Sequence, residues 1–75
     1  MQNIGKAASL RLYELLSEKK MTIYKLYKNS DLDRDNVYNL VKGKNADVKL
    51  STLEAICETI GISLEKFFRS KYFRS

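Results

Sequence analysis

One local arrangement of apolar and polar positions occurs four times along the chain. An apolar residue is followed by Ser, Thr or Asp, then by three residues, then by another apolar residue. The instances are Met21-Thr22 to Leu26, Leu32-Asp33 to Val37, Leu50-Ser51 to Ala55 and Ile62-Ser63 to Phe67. Each reads as a helix start: the short polar side chain caps free backbone N–H groups, and the apolar residue before it staples onto the fourth helical residue. At Ser51-Thr52-Leu53-Glu54 the capping box is complete, with the carboxylate three residues after the cap. Stop signals interleave with these starts. Gly43 follows Leu40-Val41-Lys42 and Gly61 follows Glu58-Thr59-Ile60, and both suit a left-handed residue after a helix end.

The pattern therefore predicts helices at 5–19, 22–29, 33–42, 51–60 and 63–70. The first is amphipathic, with Ala8, Leu12, Leu15 and Leu16 on one side. The third should bury Val37, Leu40 and Val41, and the fourth Leu53, Ile56, Cys57 and Ile60. The fifth offers Leu64, Phe67 and Phe68. Five short helices with short links make one all-α domain over residues 1–75, with no internal boundary and no low-complexity stretch. The segment GKNADVK, 43–49, is the longest connection and the expected mobile loop.

Composition narrows the function. With 44% apolar and 31% charged residues the chain is of the globular type. A net charge of +5 and a pI of 9.4 favour a polyanionic partner without identifying one. The lone Cys57 can form no internal disulfide, which fits a reducing, cytoplasmic setting, and mid-helix on an apolar face it reads as a packed small side chain. Without histidine, a Cys–His nucleophile or a zinc site is implausible. The three glycines are scattered and form no phosphate-cradling loop, and the acids form no paired-carboxylate site. Neither an enzyme, a cofactor, a metal nor a small-molecule ligand is expected. No apolar run approaches the ~20 residues of a membrane span, and MQNIGKAASL lacks a signal-peptide pattern.

The second and third helices are joined by a turn at Ser30-Asp31-Leu32, which suggests a helix-turn-helix. Here the chain resembles the Cro/repressor-type helix-turn-helix family (the XRE family) of phages and bacteria. The resemblance runs without a gap over about 8–68, through LYELLSEKKMTIYKL, LDRDNVYNLVKGK and LSTLEAICETIGISLEKFF, and leaves 69–75 as a tail. It implies a compact five-helix, lambda-repressor-like domain that binds double-stranded DNA as a dimer, with the third helix in the major groove. Three positions depart from the family pattern. Tyr27 stands where alanine is preferred, Ser30 where an apolar residue is usual, and Asp31 where glycine takes a left-handed turn. Aspartate tolerates that conformation better than most residues. Tyr27 either widens the helix crossing or swings its ring to the edge.

Carried over position by position, the resemblance makes Arg34, Asp35 and Asn39 the base readers, with Asn36 and Tyr38 beside them. Helical geometry points the same way, because inward Val37 and Leu40 turn 34, 35, 38 and 39 outward. Arg34 can pair with guanine and Asn39 with adenine. The alternative is a merely solvated helix face. Asp33 reads as an N-cap, where a carboxylate gains roughly 0.3–1 kcal/mol from the helix dipole. Asp35 projects outward, repels phosphate and can accept from a cytosine amino group. Together these acids predict low affinity for random sequence and a penalty for the wrong base. In the competing reading Asp31, Asp33 and Asp35 form an acidic patch for a protein partner.

Phosphate contacts are expected from Thr22, Ile23, Lys25, Lys42, Lys44, Asn45 and Lys49, assisted by Lys28 and by free N–H groups at the starts of helices 2 and 4. Ile23 replaces a residue that is often glutamine in the family, so one side-chain contact is lost there. The alternative is that these lysines only keep the protein soluble. In the tail FFRSKYFRS, Phe67 or Phe68 should close the core and leave Tyr72 and Phe73 exposed. Exposed aromatics mark an interface, here a homodimer contact through helix 5 and the tail.

The resulting expectation is a bacterial or phage transcriptional regulator, repressor-like, that binds a palindromic operator as a homodimer, with half-sites about one helical turn apart. The alternative is a protein-interaction module on the same fold, antitoxin-like or a phage accessory protein, without specific DNA reading.

Overall fold

Three of the four expected helix starts are built as the pattern requires. Thr22 accepts from the Lys25 N–H at 3.0 Å, Asp33 from the Asn36 N–H at 3.2 Å and Ser63 from the Lys66 N–H at 3.1 Å. They open α2 (Ile23–Ser30), α3 (Arg34–Val41) and α5 (Leu64–Phe68). The first helix, α1 (Ile4–Lys19), starts earlier than expected because Asn3 caps it through the Lys6 N–H at 2.8 Å.

The fourth start differs. Helix α4 (Leu50–Ile60) begins with Lys49 as its cap, and Ser51 makes no capping bond. The Lys49 carbonyl takes the N–H groups of Thr52 and Leu53, both at 3.1 Å, so the first turn is already wound when the chain reaches Ser51. Leu50 is 62% exposed and staples nothing. The capping box is absent although its letters are present.

Both expected glycine stops take left-handed backbone, with φ of 73° at Gly43 and 90° at Gly61. Lys20 (φ 54°) and Asp31 (φ 61°) do the same without glycine's freedom. Asp31 thereby forms the turn between α2 and α3.

The computed structural model describes residues 3–74. Among them there are five α-helices, a terminal 3-10 turn (Lys71–Phe73) and no strand, which makes the protein all-α with a helix-turn-helix at α2 and α3. Helix α3 packs between α1 and α2, α2 also meets α4, and α5 follows α4. The interior contains the expected faces: Ala8, Leu12, Leu15 and Leu16 from α1, Val37, Leu40 and Val41 from α3, and Leu53, Ile56, Cys57 and Ile60 from α4. Leu26 and Phe67 complete it, both fully buried. Each buried Val, Leu, Ile or Phe among them contributes about 1.5–3 kcal/mol of transfer free energy.

Two polar residues of α1 tie this interior to its neighbours. The Ser9 hydroxyl donates to the Val41 carbonyl. Arg11 is buried and donates from Nε to the Phe67 carbonyl and from Nη2 to the Lys66 carbonyl, both at 2.8 Å, while Nη1 pairs with Glu14. Carbonyls of a last helical turn lack helical partners, and a cation there also favours the helix dipole. Arg11 therefore caps α5 from outside, and α5 ends at Phe68, short of the expected residue 70.

The tail corrects a further expectation. Tyr72 and Phe73 are half-buried, not exposed. Ser70 caps the 3-10 turn through the Tyr72 N–H at 3.3 Å, and the turn lies against α1. The Phe73 ring centroid is 5.0 Å from that of Phe68 and 5.8 Å from that of Phe67. Phe73 thus packs on the domain's own core and Tyr72 is half-buried, which removes the exposure on which a tail-mediated dimer contact rested.

The 43–49 connection is tied down at its middle. The Gly5 N–H, one of the donors left free in the first turn of α1, gives 3.0 Å to the Ala46 carbonyl. The approach is close enough that a Cβ on Gly5 would lie 1.7 Å from the Asn45 carbonyl oxygen.

Candidate nucleic-acid interface

Helix α3 displays its polar side because Val37, Leu40 and Val41 are drawn fully into the core. Arg34, Asp35, Asn36 and Tyr38 are exposed and Asn39 is half-buried. The helix surface divides these residues between two depressions. On the α2 side, Arg34, Asp35, Tyr38 and Asn39 share a cleft of about 450 Å³ with Lys44 and with Tyr24 and Tyr27 from α2. On the α4 side, Asn36 faces a smaller hollow of about 240 Å³ with Asn45, Lys49 and Thr52. The structure therefore groups four of the five expected readers and sets Asn36 with two of the expected phosphate residues.

Electrostatics within the cleft are mixed. Arg34 Nε stands 3.4 Å from Asp35 Oδ1, a loose and well-exposed pair that leaves both groups free to exchange it for another partner. Asp33 is occupied as the N-cap. The rim is basic: Lys28 Nζ lies 5.7 Å from the Tyr24 ring centroid, and Lys42 Nζ lies 5.6 Å from that of Tyr38. Lys25, Lys42, Lys44 and Lys49 are all exposed, and Asn45 is exposed in the connection that Gly5 holds.

At the start of α2 the two expected phosphate residues differ. Thr22 is exposed, with its hydroxyl oxygen accepting the Lys25 N–H. The Ile23 side chain packs against the core, so only its backbone can face a phosphate. A helix start still offers N–H groups and the positive end of its dipole.

Two cleft residues lay outside the expected site. The Tyr27 ring is half-buried, packs against the core and lines the cleft between α2 and α3, where it meets Tyr24 edge-on with centroids 5.4 Å apart and planes at 77°. Tyr24 is 60% exposed. The signal available in the sequence was the tyrosine pair at i and i+3 on a helix whose inward position is Leu26.

A family model described as the Cro/C1-type HTH DNA-binding domain matches residues 11–69, which spans α2, α3, α4 and α5 and most of α1. No curated protein and no solved structure matches the chain. No described helix is long and apolar enough to cross a membrane.

Proposed function

The chain belongs to the Cro/C1-type helix-turn-helix DNA-binding family, and from that premise we propose that it is a sequence-specific transcriptional regulator of a bacterium or phage. Helix α3 enters the major groove of double-stranded DNA. Arg34, Asp35, Tyr38 and Asn39 read base edges, with Asn36 at the flank towards α4. Lys25, Lys42, Lys44, Asn45 and Lys49, with Thr22 and the backbone of Ile23, hold phosphates on either side. The observation that carries this reading is the gathering of Arg34, Asp35, Tyr38 and Asn39 on one open face of α3, with exposed lysines around it. Donors and acceptors on the exposed side of a helix suit base edges, and the surrounding cations suit the backbone.

The protein acts as a homodimer on a two-fold related operator, and represses by occupying it. Half-sites about one helical turn apart then place two copies of α3 in successive major grooves on one side of the duplex. The test is selection from a random double-stranded DNA library at near-physiological salt, with Arg34→Ala/Asn39→Ala as the control. The expected result is an enriched palindrome that the control loses. Wild-type binding to the selected site should weaken with salt, with a log–log slope of about −0.9 per phosphate neutralised. Selection that enriches no sequence would refute specific reading. It would instead favour a protein partner for the acidic start of α3.

A further inference from the structure

The walls of the α2–α3 cleft are aromatic, a property that neither phosphate contact nor the hydrogen bonds of Arg34 and Asn39 require. Tyr24 and Tyr38 are 60% and 45% exposed, and Tyr27 is half-buried between them and the core. The other aromatic cluster, Phe67, Phe68 and Phe73, is packed on the interior. Tyr24 and Tyr38 each have a lysine ammonium over the ring, on Lys28 and Lys42. Exposed aromatic surface next to base-reading groups calls for an apolar feature on the DNA.

The major groove presents one such feature, the 5-methyl group of a pyrimidine. Thymine carries it beside O4, on a pair whose adenine offers N6–H and N7. 5-Methylcytosine carries it beside an N4 amino group. The polar residues of the same cleft match these neighbours, because an asparagine such as Asn39 can pair with adenine and a carboxylate such as Asp35 can accept from an amino group. We infer that the cleft recognises a pyrimidine 5-methyl group, with Tyr24 and Tyr38 touching it and Tyr27 backing them. This assignment rests on the DNA-reading function proposed above and adds Tyr24 and Tyr27 of α2 to the specificity residues.

The test uses the selected operator with each thymine replaced in turn by uracil, and each cytosine in turn by 5-methylcytosine. Removing a methyl group from an aromatic contact should weaken wild-type binding about four-fold, as expected for roughly 0.8 kcal/mol per buried methylene-sized group. If thymine is the source, one uracil position per half-site shows this loss. If methylcytosine is the source, one cytosine position shows a gain of similar size. The Tyr24→Ser/Tyr38→Ser variant changes exposed side chains, and its thermal melting confirms the fold. It should bind the operator more weakly and lose the methyl discrimination. Indifference of the wild type to every replacement overturns the inference, as does full discrimination by the variant. A failed operator selection brings down both proposals, whereas a selected operator insensitive to methyl groups brings down this one alone.

Discussion

Gly5 stands in the first turn of α1, where alanine would ordinarily favour the helix by up to about 1 kcal/mol. The structure reverses that sign. A Cβ at this position would lie 1.7 Å from the Asn45 carbonyl oxygen, 2.7 Å from its carbon and 2.9 Å from the Ala46 carbonyl carbon, all backbone atoms. Restoring an ordinary 3.4 Å contact requires the 43–49 connection to retreat by about 3.4 − 1.7 = 1.7 Å. That movement breaks the 3.0 Å bond from the Gly5 N–H to the Ala46 carbonyl. Overpacking costs about 1–3 kcal/mol and the lost bond about 0.5–1.5 kcal/mol. After the helix gain, Gly5→Ala should destabilise the domain by about 1–3 kcal/mol, which lowers the melting temperature by roughly 5–20 °C. Thermal and urea unfolding followed by circular dichroism measure this. The connection carries Lys44, Asn45 and Lys49, so the folded variant should also bind all DNA sequences more weakly. Gly61→Ala is the control. Nothing lies within 4 Å of its Cβ, so only left-handed backbone strain of about 1–2 kcal/mol applies, at the end of α4. If Gly5→Ala were as stable as the wild type, or stabilised by its helix propensity, the close approach to α1 would be refuted.

Four further substitutions probe separate parts of the argument. The Ser30 hydroxyl is buried without a partner, so Ser30→Ala should raise the urea midpoint by an amount equivalent to about 1 kcal/mol; a lower midpoint would show that the hydroxyl is satisfied. Arg11→Met keeps volume but uncaps α5, and should cost about 2–3 kcal/mol in urea unfolding; a loss below about 0.5 kcal/mol would deny the cap its role. Burial pushes the Cys57 thiol above its ordinary 9.0, against a smaller opposing pull from the Arg11 charge. The folded state therefore holds this proton more tightly, and its contribution to stability is complete below that pH and declines above it. Urea unfolding between about pH 8 and 10 should show a decline that Cys57→Ala lessens, and identical curves would refute it. Asp35→Asn should tighten binding to random DNA and narrow the gap to the operator, with the salt slope unchanged; unaltered affinity for random DNA would place Asp35 away from the duplex.

The helices were legible because their signals are local. An N-cap needs only a side chain and the next turn, so Thr22, Asp33 and Ser63 read correctly from the sequence. The core faces were legible because helical spacing alone decides which residues share a side. Ser51 shows the limit: its box was complete, but the preceding connection reaches α4 so that Lys49 is the last extended residue. That connection is held by Gly5, 41 residues before its partner Ala46, and no local pattern reports such a contact. Arg11 was hidden for the same reason, since its partners lie 55 and 56 residues away. The site followed the same division. Outward positions on α3 follow from Val37 and Leu40, whereas the cleft depends on how α2 lies against α3 and on where Tyr27 places its ring.

The three departures from the family pattern have unequal physical consequences. Asp31 adopts the left-handed conformation that its position demands, so the turn keeps its shape. Ser30 leaves a buried hydroxyl without a partner and contributes nothing to binding that the structure reveals. Tyr27 replaces a methyl group with a phenol at the approach of two helices, where a large side chain must either separate them or leave. Leu26 and Val37, on those two helices, are both fully buried. The interior is therefore closed, and the half-buried Tyr27 ring packs against it while lining the α2–α3 cleft. There it meets Tyr24 and extends the apolar surface beside Arg34 and Asn39. The acids act in the complementary direction. Asp33 serves the helix and Asp35 makes the leading end of α3 unattractive to phosphate, while the lysines around it supply attraction that is blind to sequence. If α3 reads DNA as proposed, a helix weakly attractive on charge alone gains most of its affinity from matched bases. On that proposal an aromatic wall adds to the match without adding charge, so that Tyr27 and Asp35 would both favour discrimination over general affinity.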